Sequence, residues 1–257
     1  MPRIALLIEY DGSRLAGWQV QENAQTVQSQ IEDAFFQIYQ ERIAVAGAGR
    51  TDSGVHGRGM VAHADTPELS GITNFKLLAA LNGTTPTDIV IHDIRNVPND
   101  FHARHSAVSR EYSYTIHLGR AALHRDCMWA VSFSLDTTLM QKVSNLLLGE
   151  HDFTSYSKRS DDVEHYRCTI DICEWKLSGT NFVLNIRANR FVRGMVRALV
   201  GAMVEIGKGT LSIAEFEHLL LTPTEHARAR YTAPARGLVL EAVRYPSQYG
   251  LWGNVER

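Results

Sequence analysis

The period of apolar and polar positions changes several times along the chain, and each change marks an element. Residues 3–10 (RIALLIEY) read as a strand closed by the turn Asp11-Gly12-Ser13. A polar loop follows, LAGWQVQENAQ, carrying Gly17 and Trp18. Thr26 is placed to cap a helix that runs to about Gln40, because Val27, Ile31, Ala34, Phe35 and Ile38 recur at helical spacing. Residues 43–48 are a strand, with 58–64 as its hairpin or near-neighbour partner. Residues 73–81 read as a helix with Phe75, Leu77, Leu78 and Leu81 inward, ended by Asn82-Gly83, and 89–97 as a strand. Strand, helix, strand, strand, helix, strand is the split βαβ order of a ferredoxin-like sheet.

The second half repeats this order. Residues 109–118 alternate, with Tyr112, Tyr114 and Ile116 on one side and Glu111, Ser113 and Thr115 on the other. A helix is predicted at 139–148, and strands at 166–177 and 181–188 joined by the hairpin signal Ser178-Gly179-Thr180. Residues 191–206 are the most regular helical stretch; 212–221 is an extra helix, and 238–245 a closing strand. The fold class expected is α+β: two ferredoxin-like halves, residues 1–104 and 105–257, forming a mixed, mainly antiparallel sheet with helices packed on it.

Composition narrows the function classes. The chain has 257 residues, 44% hydrophobic and 21% charged, within the ordinary globular range. No apolar run approaches the roughly 18 residues of a membrane helix. The start, MPRIALLIEYDG, lacks a small-residue cleavage site, so no signal peptide and a cytoplasmic location are expected. Cys127, Cys168 and Cys173 fit no CxxC or zinc spacing, and in a regular strand Cys168 and Cys173 face opposite ways. A net charge of −2 argues against a uniformly basic nucleic-acid binder. Yet 21 of the 26 basic residues are arginine, whose planar fork suits paired phosphate or carboxylate contacts.

Three stretches carry candidate chemistry. AGAGRTDSGVHG, residues 46–57, leaves a strand as a glycine-framed loop holding Arg50, Thr51, Asp52 and His56. Asp52 is the candidate reacting residue; the competing reading is an Asp that caps its own turn, with Arg50 as a surface ion-pair partner. Arg190, Arg193 and Arg197 share the polar face of the 191–206 helix, Arg187 comes just before it, and no acid lies between them; facing a phosphate backbone gives that row a purpose, and the competing reading is a solvated face. FHARHSAVSREYSY interleaves His102, Arg104, His105 and Arg110 with Tyr112 and Tyr114, the mixture that stacks extruded bases while pairing phosphates. Asp52, His56, His63 and Asp65 match no HExxH pattern, no GxSxG elbow or phosphate loop exists, and AGAGR lacks GxGxxG spacing.

Seven stretches in order resemble the tRNA pseudouridine synthase A family over nearly the whole chain: EYDGSRLAGWQ, TVQSQIEDA, AGRTDSGVHG, DFHARHSAVSREYSY, LLGEHDFTSY, NRFVRGMVRALVGAMVEIGKG and APARGLVLEAVRYP. The resemblance implies the pseudouridine synthase fold. It implies isomerisation of uridine to pseudouridine at positions 38, 39 and 40 of the tRNA anticodon stem-loop, by a homodimer, without cofactor or metal. It implies that Asp52 is the catalytic aspartate, Arg50 the active-site arginine and Tyr112 the active-site tyrosine. Arg197 and Leu238 would be substrate-binding, with Arg58, Arg104, Arg110, Arg190 and Arg193 as further tRNA contacts. Glu111, Arg236, Thr84-Thr85-Pro86 and the acidic stretch 157–164 depart from the family pattern and bear on RNA affinity and choice of site. Two other classes stand beside this one. One is a catalytically silent RNA-binding or folding protein, against which an intact Asp52 speaks. The other is a nucleotide hydrolase using Asp52, His56 and a metal, which chelation would expose.

Overall fold

Strand β1 (Arg3–Tyr10) keeps the bounds its alternation predicts, and Ala5, Leu6 and Ile8 on it are fully buried. It is followed by α1 (Val27–Tyr39), β2 (Val45–Gly47), β3 (His56–Asp65), α2 (Asn74–Thr84) and β4 (Ile89–Val97). These strands pair in the order β4-β1-β3-β2, antiparallel throughout, which is the ferredoxin-like arrangement. The coordinates are a computed structural model that describes residues 1–67, 72–159, 163–224 and 229–252. Contacts group the chain into two units, Met1–Ser109 with Val239–Arg257, and Arg110–Leu238.

Helix α1 begins where Thr26 and Ser29 exchange side-chain and backbone hydrogen bonds, and it ends at Gln40, whose φ of 54° is left-handed. Helix α2 departs from expectation in two respects. Phe75 is 79% exposed and only Leu77 and Leu81 are buried on the helix. Positions two apart lie on opposite sides of a helix, so Phe75 and Leu77 cannot both point inward. Nor does Asn82-Gly83 end the helix. The Asn82 amide donates to Ile91 O and accepts from Ile91 N, both at 2.8 Å, and this pins the last turn to β4 until Thr85.

The second unit contains β5 (Ser109–Leu118), β6 (Trp129–Val131), α3 (Thr137–Asn145), β7 (Gly149–Asp152), β8 (Arg167–Ser178), β9 (Asn181–Ala188), α4 (Met195–Gly207) and α5 (Ile213–Leu221). The antiparallel run β5-β9-β8 repeats β1-β3-β2, with β7 on the far side of β8 and β6 parallel to β5. Strands β6 and β7, of three and four residues, are too short for alternation to reveal. The β8–β9 hairpin turns at Gly179, φ 59°, as its sequence predicts.

Strand β8 carries a register shift between Ile170 and Ile172. The extra residue re-phases the alternation, so Cys168 and Cys173 are both buried rather than facing opposite ways. Burial pushes their thiols up, to about 11 and about 12 respectively.

The closing strand, β10 (Leu238–Arg244), runs parallel to the start of β3, with Val239 opposite His56 and Leu240 opposite Gly57. From Val239 onward it therefore groups with the first unit, whereas a division at residue 104 keeps it with the second half. Arg58 pairs with Glu241, and a Cβ at Gly59 would lie 2.3 Å from Glu241 O, so the two backbones approach closely.

Candidate active site

The Asp52 loop leaves β2 and returns as β3, and it is laced to the segment that follows β1. Trp18 N donates to Thr51 O at 3.1 Å, and Gly54 N and Ser53 Oγ both donate to Leu15 O. The Tyr10 hydroxyl meets the buried Thr51 hydroxyl at 2.9 Å. Two glycines make this fit possible. Gly17, at φ 94°, lies so close that a Cβ would stand 2.5 Å from Thr51 O and 3.1 Å from the Asp52 carbonyl carbon; at Gly47 a Cβ would enter the buried Trp18 indole. Val55 N closes the turn on Asp52 O at 3.2 Å. The carboxylate of Asp52, half-buried, thus stands on a backbone held at both neighbours.

Arg50 is exposed, and its Nε donates to Gln19 Oε1 at 3.1 Å. His56 is buried, and its Nδ1 accepts from Gly12 N at 3.1 Å. Among the described residues no three of His, Cys, Asp and Glu converge as a metal site. Arg58 on β3 is exposed and engaged with Glu241. Arg104 is exposed on a turn built by its neighbours: Arg3 donates to Asn99 O and Phe101 O, Tyr245 donates to Ala103 O, and His63 Nδ1 accepts from Ala103 N. Burial, with His102 and Arg3 nearby, pulls the His63 pKa down to about 4.

In the second unit, Tyr112 on β5 is half-buried and stands edge-on to Phe191 at 5.2 Å. Arg110 donates to Asn189 O at 3.0 Å, which joins β5 to the loop bearing Arg190 and Arg193. That loop corrects the expected helix at 191–206. Gly194 adopts φ 74°, so α4 starts only at Met195, and Arg190 and Arg193 precede it. Of α4's thirteen residues only Arg197 is not buried, so no arginine face exists on it. Arg187, the next-to-last residue of β9, makes a two-toothed pair with Asp171, the residue the β8 bulge displaces. Arg197 donates through Nε to Ala233 O at 2.8 Å, and Ala233 N returns a bond to Arg197 O. Tyr114, buried, donates to Pro234 O at 2.8 Å. Leu238, also buried, follows a tight turn whose Gly237 lies on the Tyr114 ring, where a Cβ would come within 2.7 Å.

Comparison with known proteins decides among the classes. A family model described as tRNA pseudouridine synthase matches residues 143–246. The chain is 40% identical over 249 residues to tRNA pseudouridine synthase A of Porphyromonas gingivalis, covering 96% of this chain and 98% of the relative. It is 41% identical to the protein of that name from Chlorobium chlorochromatii, over 95% and 100%, and 38% to that of Halalkalibacterium halodurans, over 93% and 91%. The chain belongs to the tRNA pseudouridine synthase A family.

Family membership makes it an isomerase acting on tRNA. Within the tRNA pseudouridine synthase A pattern, the departures acquire local explanations. Glu111 lies directly across from Arg187 in the β5–β9 register, so its charge meets a cation of the same sheet. Arg236 is anchored through Nε to Met128 O at 3.2 Å. Lys158 at the start of the acidic stretch donates its N–H to Arg193 O; residues 160–162 of that stretch lie outside the described residues. Sequence reasoning gave no role to Tyr10, Gly17, Trp18 and Gln19, which bed the Asp52 loop. Their signal was present, a Gly-Trp-Gln run in an otherwise polar loop, but nothing local says what such a run packs against.

Proposed function

We propose that this chain converts uridine to pseudouridine at positions 38, 39 and 40 in the anticodon stem-loop of tRNAs, as a cytoplasmic homodimer, with Asp52 as the reacting group and no cofactor. The observation that carries this reading is the Asp52 loop itself, an acid on a backbone braced at both neighbours, in a loop that also carries an arginine whose Nε is held. Breaking the bond between uracil N1 and C1′ leaves positive character on the sugar and negative charge on the base. A carboxylate at Asp52 attacks C1′, removes a sugar proton, or adds to the uracil ring; all three routes need a charged, fixed acid. The freed uracil must then turn so that C5 meets C1′, and it stays in the site meanwhile, which is catalysis by confinement. Tyr112 and Leu238 are the proposed ring-holding residues, and Arg50 and Arg197 the proposed cations near the acid and the phosphate. Tyr112 is the proposed base for the final proton at C5. Arg58, Arg104, Arg110, Arg190 and Arg193 are proposed contacts to the tRNA backbone, whose target nucleotide must leave its stack.

Mapping pseudouridine in tRNA from cells with and without this chain tests the assignment: loss confined to positions 38, 39 and 40 supports it, and an unchanged map rejects it. Asp52→Asn is expected to abolish pseudouridine formation while tRNA binding persists. Full activity in that variant sinks the role given to the acid.

A further inference from the structure

We propose that Gln19 is a positioning residue of the reaction, setting the Arg50 guanidinium beside Asp52; the inference rests on the reading of that loop as the catalytic one. Gln19 is held by its surroundings rather than by its own burial. Gly17 O and Trp18 O accept the N–H groups of Val27 and Gln28, both at 3.1 Å, so the first turn of α1 grips the two residues before it. Val20 N donates to Gln28 Oε1 at 3.3 Å and grips the residue after it. The Trp18 side chain is buried, and the residue's backbone N–H donates to Thr51 O. With positions 17, 18 and 20 anchored, the exposed Gln19 side chain has a defined origin, and its Oε1 receives Arg50 Nε at 3.1 Å.

The same segment therefore touches both neighbours of the catalytic residue. Thr51 is bound through its carbonyl by Trp18 and through its hydroxyl by Tyr10, and Ser53 through its hydroxyl by Leu15 O. The acid's backbone is thus set by buried groups, and Arg50, exposed, has its Nε directed to a side-chain acceptor, Gln19 Oε1. An arginine has several rotatable bonds, and a bond at Nε orients the whole planar fork, its terminal nitrogens included. Fixing a charged group in advance of the transition state lowers the reorganisation needed during reaction.

The test measures single-turnover rate and tRNA affinity for Gln19→Ala, Gln19→Glu, Arg50→Ala and the double variant Gln19→Ala with Arg50→Ala. Gln19 is exposed, so the thermal midpoint of Gln19→Ala is expected to match the parent. Its rate should fall about tenfold with tRNA affinity little changed. Gln19→Glu, which keeps an acceptor oxygen, should recover most of the rate. The double variant should be no slower than Arg50→Ala alone, because the acceptor has then nothing to orient. A parent-like rate in Gln19→Ala, or a loss that adds in full to that of Arg50→Ala, overturns the positioning role while leaving the site intact. An unimpaired Arg50→Ala overturns both the positioning role and the part given to Arg50 in the site.

Discussion

At the scale of single residues, the two histidines of β3 show how one residue type serves different ends. His56 takes a backbone N–H of the turn after β1, and His63 takes one from the turn that presents Arg104. Burial, His102 and Arg3 all disfavour the charged form of His63, and outweigh Asp65 and the bond to Ala46. A histidine whose folded pKa lies below its unfolded 6.5 contributes fully above that value, where both states are neutral. As pH falls from 6.5 to about 4 the unfolded chain takes up the proton first, and stability is lost across that window. The loss expected is up to about 3 kcal/mol. Denaturant unfolding across that range checks it: His63→Gln, which titrates in neither state, should show a flatter acid side, and an identical pH profile in the variant would refute the account.

At the scale of elements, arginines close together in sequence part company once the chain folds. Arg190, Arg193 and Arg197 look like one helical row with Arg187 just ahead of it, but a left-handed glycine and a bulge on a neighbouring strand distribute them. Arg187 is committed to Asp171, Arg197 to the Ala233 carbonyl, and Arg193 is exposed on the loop between. Only a cation that meets a phosphate releases counterions on binding. Arg193→Ala is therefore expected to weaken tRNA binding and lower the salt slope by about 1, while Arg187→Ala leaves the slope alone. Equilibrium binding over a range of salt concentrations measures both, and equal slopes for the two variants would mean that the loop does not see the backbone. The longer strands and the helices were legible because each buries one face, and β6 and β7 were not because three or four residues show no period. Phe75 was misread because its helix has more apolar positions than it has buried face, and the β8 cysteines because a bulge leaves no mark in the alternation.

At the scale of the whole molecule, the chain's last strand belongs with its first unit. Val239 and Leu240 pair with His56 and Gly57, immediately after the Asp52 loop, so that loop returns onto a strand completed from the far end of the chain. Ending the chain at residue 237 is expected to remove that support, with pseudouridine formation lost and protease sensitivity rising in the first unit; a truncated chain that stays active would overturn it. Such a closure is invisible locally, since a parallel pairing between residues so far apart has no turn to announce it. The amino-acid order by itself determined the α+β class, the two repeats, nearly every strand and helix, and the family, because periodicity and motif are properties of neighbouring residues. Only the tertiary structure decided what braces Asp52, which arginines are already engaged, and where the last strand goes. Those depend on which backbone groups meet across long separations, and a distant donor or a missing Cβ leaves its trace only where the chain comes back to itself.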